Sequence, residues 1–150
     1  MKKEGFSIQG DGGNSICFAI DEVYGFPETT SHWGGYDARV SLTIKSSCFQ
    51  AKATVWTSTG EIFALHQQLH QCNESIAGNA AYTSCEGNLA LTVQYDAMGH
   101  ITIRGKFSEG NEYCNALDFE FQSDQTFVQM TLLELDLIVK KYGNLKGINL

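Results

Sequence analysis

A chain of 150 residues, 43% apolar and with a single proline, is long enough to bury roughly two thirds of its unfolded surface in one core, which excludes a disordered segment and leaves room for one domain. No apolar run approaches the ~18 residues of a membrane span, and five cysteines (Cys17, Cys48, Cys72, Cys85, Cys114) without a C-x-x-C pair read as reduced, mostly buried thiols rather than a disulfide framework or zinc site. Seventeen acidic against ten basic residues give a net charge of -7, which repels nucleic acid and attracts basic partners.

The basic start, Met1-Lys2-Lys3-Glu4-Gly5, lacks a following apolar stretch, so the chain is expected to stay in the cytoplasm. Phe6 to Gln9 and Ser15 to Ile20 read as short strands around the turn Gly10-Asp11-Gly12-Gly13. From Asp21 to Asp37 regularity fails: these seventeen residues hold four acids and four aromatics in no period. A loop this long inside a compact domain is commonly functional. It can equally pack Phe26, Trp33 and Tyr36 down as a lid over one end of the core, and the two readings are compatible.

Ala38 to Lys45 and Phe49 to Trp56 alternate as strands, with Val40, Leu42 and Ile44 inward on the first and Phe49, Ala51, Ala53 and Val55 inward on the second. The pattern then switches. Ile62, Leu65, Leu69, Cys72 and Ile76 recur at helical spacing, and Ser58 with Glu61 forms a capping box at the junction. A short strand near Ala80 to Thr83 leads to three more alternating runs, with inward Leu89, Leu91, Val93 and Tyr95, then Ile101, Ile103 and Phe107, then Leu117, Phe119 and Phe121. A second helix begins near Ser123-Asp124 and carries Val128, Leu132, Leu135, Val139 and Tyr142, with Lys140 and Lys141 in its last turn and Gly143 after it. The tail Asn144 to Leu150 is expected to fray. The whole reads as one α+β domain over residues 1–150: a curved antiparallel β-meander of six to eight strands with two helices packed on one face.

Motifs for chemistry are sparse. His66 and His70 stand four apart on the first helix, but without a third ligand they read as solvated helix residues. His32 and His100 have no implied nucleophile or carboxylate partner. Ser58 serves as a cap, no G-x-S-x-G elbow occurs, and the glycine-rich stretches fit no phosphate loop. Asp118 and Glu120 share the wet face of a strand with Arg39, Lys45, Lys52, Arg104 and Lys106 on others, where cross-strand charge pairing is the simplest role. No enzyme activity, cofactor or metal is expected.

Four stretches carry a resemblance: Gly34-Gly35-Tyr36-Asp37, Trp56-Thr57-Ser58-Thr59-Gly60-Glu61-Ile62, Glu86-Gly87-Asn88-Leu89, and Phe119-Glu120-Phe121-Gln122-Ser123-Asp124-Gln125-Thr126. In order and spacing, over roughly Asp21 to Val139, the chain resembles the WapI-like family of bacterial immunity proteins. The resemblance implies a small cytoplasmic antitoxin that binds and neutralises the C-terminal toxin domain of a polymorphic toxin, as in contact-dependent growth inhibition, and it brings no catalytic residues. Many such toxins are nucleases and therefore basic. The long loop would then supply the partner surface, with Asp21, Glu22, Glu28 and Asp37 as charge and Tyr24, Phe26, Trp33 and Tyr36 as anchors. The expected partner is that basic toxin domain, not nucleic acid or membrane, with the chain a monomer or weak homodimer through an edge strand. The alternative is a cytosolic domain that holds a small ligand between the helices and the curved sheet.

Overall fold

The computed structural model describes residues 4–110 and 114–148; residues 1–3 of the basic start and 149–150 of the tail lie outside them. Alternation at period 2 produces β1 (Gly5–Gln9), β2 (Ser15–Val23), β3 (Asp37–Ser46) and β4 (Phe49–Ser58), an antiparallel sheet in that order. After helix α1 (Thr59–Ser75), β5 (Asn79–Thr83), β6 (Leu89–Tyr95), β7 (Ile101–Ser108) and β8 (Ala116–Ser123) form a second antiparallel sheet, followed by helix α2 (Gln125–Tyr142). The expected α+β fold is present with eight strands, and α1 divides the meander into two sheets. One core joins them. Phe18 of β2 stacks on Phe6 with ring centroids 4.4 Å apart and meets Tyr82 of β5 edge-on at 5.4 Å, while Leu65, Leu69, Leu132 and Leu135 fill the space beneath the helices.

The helices also close two sheet edges. Along β1, the Ser7 N–H donates to Glu134 Oε1 of α2 (3.1 Å) and Thr131 Oγ1 of α2 donates to the Ser7 carbonyl (2.7 Å), while Ser123 Oγ at the end of β8 donates to the Gln9 carbonyl (2.6 Å). Along β5, the Gln68 amide of α1 accepts from the Ala81 N–H (3.0 Å) and donates to the Ala81 carbonyl (3.2 Å). Side chains thus replace the ladder partners a neighbouring strand would provide, and these edges are blunted against pairing with another chain.

Several expectations need correction. Asp21, Glu22 and Val23 extend β2, so the irregular segment is 24–36. Phe49 pairs with Ser46 beside the two-residue turn and is 60% exposed, because at the rim no opposite layer reaches it. Ile76 is the left-handed cap of α1 and lies exposed; the helix has already ended at Ser75. Cys48 and Cys114 are exposed although the thiols were expected to be mostly buried. His66 is not solvated: its Nε2 lies 2.6 Å from Asp136 Oδ1 of α2 and its Nδ1 is sealed from water, whereas His70 is exposed as expected. The tail through Ile148 does not fray, since the Ile148 N–H donates to Tyr36 Oη (3.0 Å) and Leu145 accepts from the Gly35 N–H (2.7 Å).

That last contact belongs to a clasp. The segment Gly34–Tyr36 lies directly on the start of α1: the Thr59 N–H donates to the Tyr36 carbonyl (2.8 Å), the Tyr36 N–H to Thr59 Oγ1 (2.8 Å), and the Gly60 N–H to the Gly34 carbonyl (3.2 Å). Backbones approach so closely that a Cβ on Gly60 would stand 2.5 Å from the Gly34 carbonyl, and one on Gly35, whose φ is +63°, 2.3 Å from Thr59 Oγ1. The Ser58 cap forms as its motif dictates, with Ser58 Oγ accepting from the Glu61 N–H at 3.1 Å. Gly60→Ala is expected to cost about 2–3 kcal/mol by overpacking, against about 1 kcal/mol for Ser58→Ala. Urea unfolding of the two variants checks the order; a Gly60→Ala effect no larger than that of Ser58→Ala would show that the clasp yields.

Candidate functional site

Where the clasp meets the open end of the first sheet, a cleft of about 500 Å³ is lined by Tyr24, Trp33, Asp37, Trp56, Thr57, Cys85 and Glu86. Three separate pieces of chain build it. Tyr24 follows β2 and its N–H donates to the Asp37 carbonyl (2.8 Å), which holds the loop entry on β3. Trp56 and Thr57 come from the end of β4, where the register sets Trp56 opposite Arg39 and Thr57 opposite Ala38. Cys85 and Glu86 come from the β5–β6 turn, tied to β4 by the Cys85 N–H donating to the Trp56 carbonyl (3.0 Å). That turn is built by Ser84, whose Oγ accepts from the Leu89 N–H (3.1 Å) and bonds Asn88 Oδ1 (2.7 Å).

Aromatic surface dominates the walls. Trp33 is 54% and Trp56 39% exposed, and the Tyr24 ring lies tilted against Trp56 at 5.8 Å. Ser31 orders the loop tip: its Oγ accepts from the Trp33 N–H (3.0 Å) and donates to Asp37 Oδ1 (2.5 Å). Carboxylates surround the aromatics. Asp37 and Glu86 line the cleft, Glu22 at its edge accepts from Tyr24 Oη (3.0 Å) and pairs with Arg39 (3.7 Å), and Glu61 lies behind Cys85.

Burial pushes the Glu61 carboxyl above its usual range; hydrogen bonds from Cys85 Sγ (2.7 Å) and from Ser58 act against this, and Asp37 adds to it. The Cys85 thiol is pushed far up, first by burial and then by the Glu61 carboxylate, so it stays protonated at neutral pH and is a poor nucleophile. Tyr82 beneath, whose hydroxyl donates to Thr57 Oγ1 at 2.6 Å, is likewise raised by burial. The chemistry offered is therefore recognition: flat apolar faces beside fixed negative charge.

The loop residues expected to meet a partner separate into two groups. Tyr24, Trp33 and Asp37 line the cleft, with Glu22 at its margin. Tyr36 and Phe26 turn the other way. Tyr36 is fully buried, donating to the Pro27 carbonyl (2.9 Å), whereas Phe26 meets Tyr36 and Tyr142 edge-on at 5.2 and 5.0 Å with one side of its ring and stays 37% exposed. The lid reading thus holds for Tyr36, holds in part for Phe26 and fails for Trp33. Asp21 is half-buried and accepts from Ser41 Oγ (2.6 Å), and Glu28 is exposed away from the cleft lining. Sequence reasoning missed Trp56 and Glu86 as site residues, although Trp56 was legible as a lone aromatic on an outward strand face. Met130, Leu133 and Leu137 form an exposed apolar stripe on α2, which ends at Lys140 and at Lys141, the latter paired with Glu4 (3.0 Å).

On the outer face of the second sheet, Arg104 pairs with Glu120 in register and Lys106 stands opposite Asp118. Cross-strand charge pairing accounts for this face. Because a raised carboxyl pKa favours the folded state while protonated, Glu61 costs stability as pH rises through its folded pKa and nothing below the ordinary Glu value of about 4.3. Glu61→Gln, which retains a capping-box side chain, is expected to melt above wild type at pH 7 and level with it below that value. A deficit at pH 7 that persists in acid would refute this sign.

In comparisons with known proteins, the model of the immunity protein WapI-like family matches residues 7–143. Searches of curated proteins and of solved structures give no match. Since the family match runs from β1 to the end of α2 and takes in every residue that lines the cleft, the chain belongs to the WapI-like family of immunity proteins.

Proposed function

We propose that the chain is a cytoplasmic immunity protein that binds the C-terminal toxin domain of a cognate bacterial polymorphic toxin, a basic nuclease-type domain, and neutralises it by covering the toxin's active site. Family membership supports the immunity role. The observation that carries the location is the pair of exposed indoles, Trp33 and Trp56, beside Asp37 and Glu86 on a chain of net charge -7. Exposed tryptophan in a concave site is the residue type that most often dominates binding energy. The surrounding negative charge speeds encounter with a basic domain and weakens with added salt. No helix among the described residues is long and apolar enough to cross a membrane, which agrees with a partner met in solution.

The test is co-expression with the toxin C-terminus encoded immediately upstream, followed by co-purification and a growth assay. A stable complex and rescued growth are expected. Replacing Trp33 with Ala and Asp37 with Asn together should weaken the complex by at least about tenfold while moving the thermal midpoint by only a few degrees, because both side chains lie at the surface. Folded proteins that neither associate nor restore growth would overturn the proposal.

A further inference from the structure

We propose that the cleft between Trp33, Trp56 and Glu86 is a receptor for one arginine side chain projecting from the partner. This rests on the immunity reading above and adds the chemistry of recognition. Three observations converge. Tyr24, Trp33 and Trp56 line the cleft with aromatic rings, whose quadrupoles attract a cation placed over a face. Asp37 and Glu86 line the same concavity as acceptors, and Asp37 is oriented by Ser31. The cleft's volume of about 500 Å³ admits a long side chain together with the backbone that carries it.

Charge nearby decides the sign of the guest. Arg39 at the margin is already paired with Glu22 (3.7 Å), whereas Asp37 and Glu86 line the cavity and Glu61 lies behind Cys85. An apolar guest would desolvate the Asp37 and Glu86 carboxylates without supplying a compensating charge, and an anion would be repelled. Between the two cationic side chains, geometry favours arginine. A guanidinium lies flat on an indole while its edge donates to carboxylates on different sides, and it sheds water more readily than an ammonium. Thr57 is buried, with its Oγ1 accepting from Tyr82 Oη.

The experiment is affinity measurement between this chain and the toxin C-terminal domain, with arginines of the toxin replaced one at a time by lysine. Trp33→Ala and Glu86→Gln should each weaken binding by about tenfold, with the thermal midpoint of each variant within a few degrees of wild type. One toxin Arg→Lys substitution should weaken binding to a similar degree and add little further loss when combined with Trp33→Ala. If wild type binds but Trp33→Ala and Glu86→Gln stay within twofold, the arginine receptor is overturned and the immunity reading stands. If both weaken binding yet no single arginine matters, the guest is not arginine and the inference fails. If the wild-type chain does not bind the toxin at all, the immunity reading fails and takes the inference with it.

Discussion

Close approach of two glycine-containing backbones holds this molecule together at the point where function is expected. Gly34–Tyr36 and Thr59–Gly60 exchange three hydrogen bonds, at separations that leave no room for a Cβ at positions 35 and 60. The tail joins from the other side, with Gly35 donating to Leu145 and Ile148 donating to Tyr36. A loop, a helix start and a chain end are thereby tied into one body. Trp33 and Asp37 are the residues immediately before and after the clasped segment. Their backbone positions are consequently set by core-like contacts even though their side chains stand in water.

The helices perform two tasks that are usually separate. Each buries an apolar stripe, and each also sends polar side chains to the outer strand of a sheet: Thr131 and Glu134 to β1, Gln68 to β5. A sheet edge satisfied in this way no longer offers a row of open donors and acceptors. The packing between the helices includes the His66–Asp136 contact at 2.6 Å, which replaces the solvated histidine that helical spacing alone implied. Spacing says which residues share a helix face. It does not say what a second helix will bring to that face, and here α2 brought a carboxylate.

The elements themselves were legible because they are local. Period-2 runs, the Ser58 and Asp124 caps and the α2 stripe each depend on a few neighbouring residues, and the structure places them as the pattern implies except at Phe49, which is exposed, and at Val139, where Ile138 is buried instead. Division into two sheets was not legible, since strand order across α1 depends on packing between residues far apart in the chain. The site shows the same limit. The loop 21–37 stood out by composition, but which aromatics it spends inward and which outward follows from Tyr36 finding Pro27 and Ile148 as partners for its hydroxyl. Trp56 and Glu86 entered the cleft through the Cys85–Trp56 hydrogen bond, a long-range contact with no sequence signature.

The division of labour between clasp and cleft bears on how such a protein can change partners. Glycines at 35 and 60 tolerate no side chain, and Tyr36 is buried with its hydroxyl doubly engaged, so substitutions there act on the fold. Trp33, Trp56 and Glu86 lie in the cleft with substantial exposure, so substitutions there act little on the fold. The two sets adjoin in sequence, Trp33 beside Gly34 and Trp56 two residues before the Ser58 cap. A surface anchored this way can vary Trp33, Trp56 and Glu86 while the backbone beneath keeps its geometry, because the hydrogen bonds of the clasp run through Gly34, Gly35, Tyr36, Thr59, Gly60, Leu145 and Ile148 and not through those three side chains.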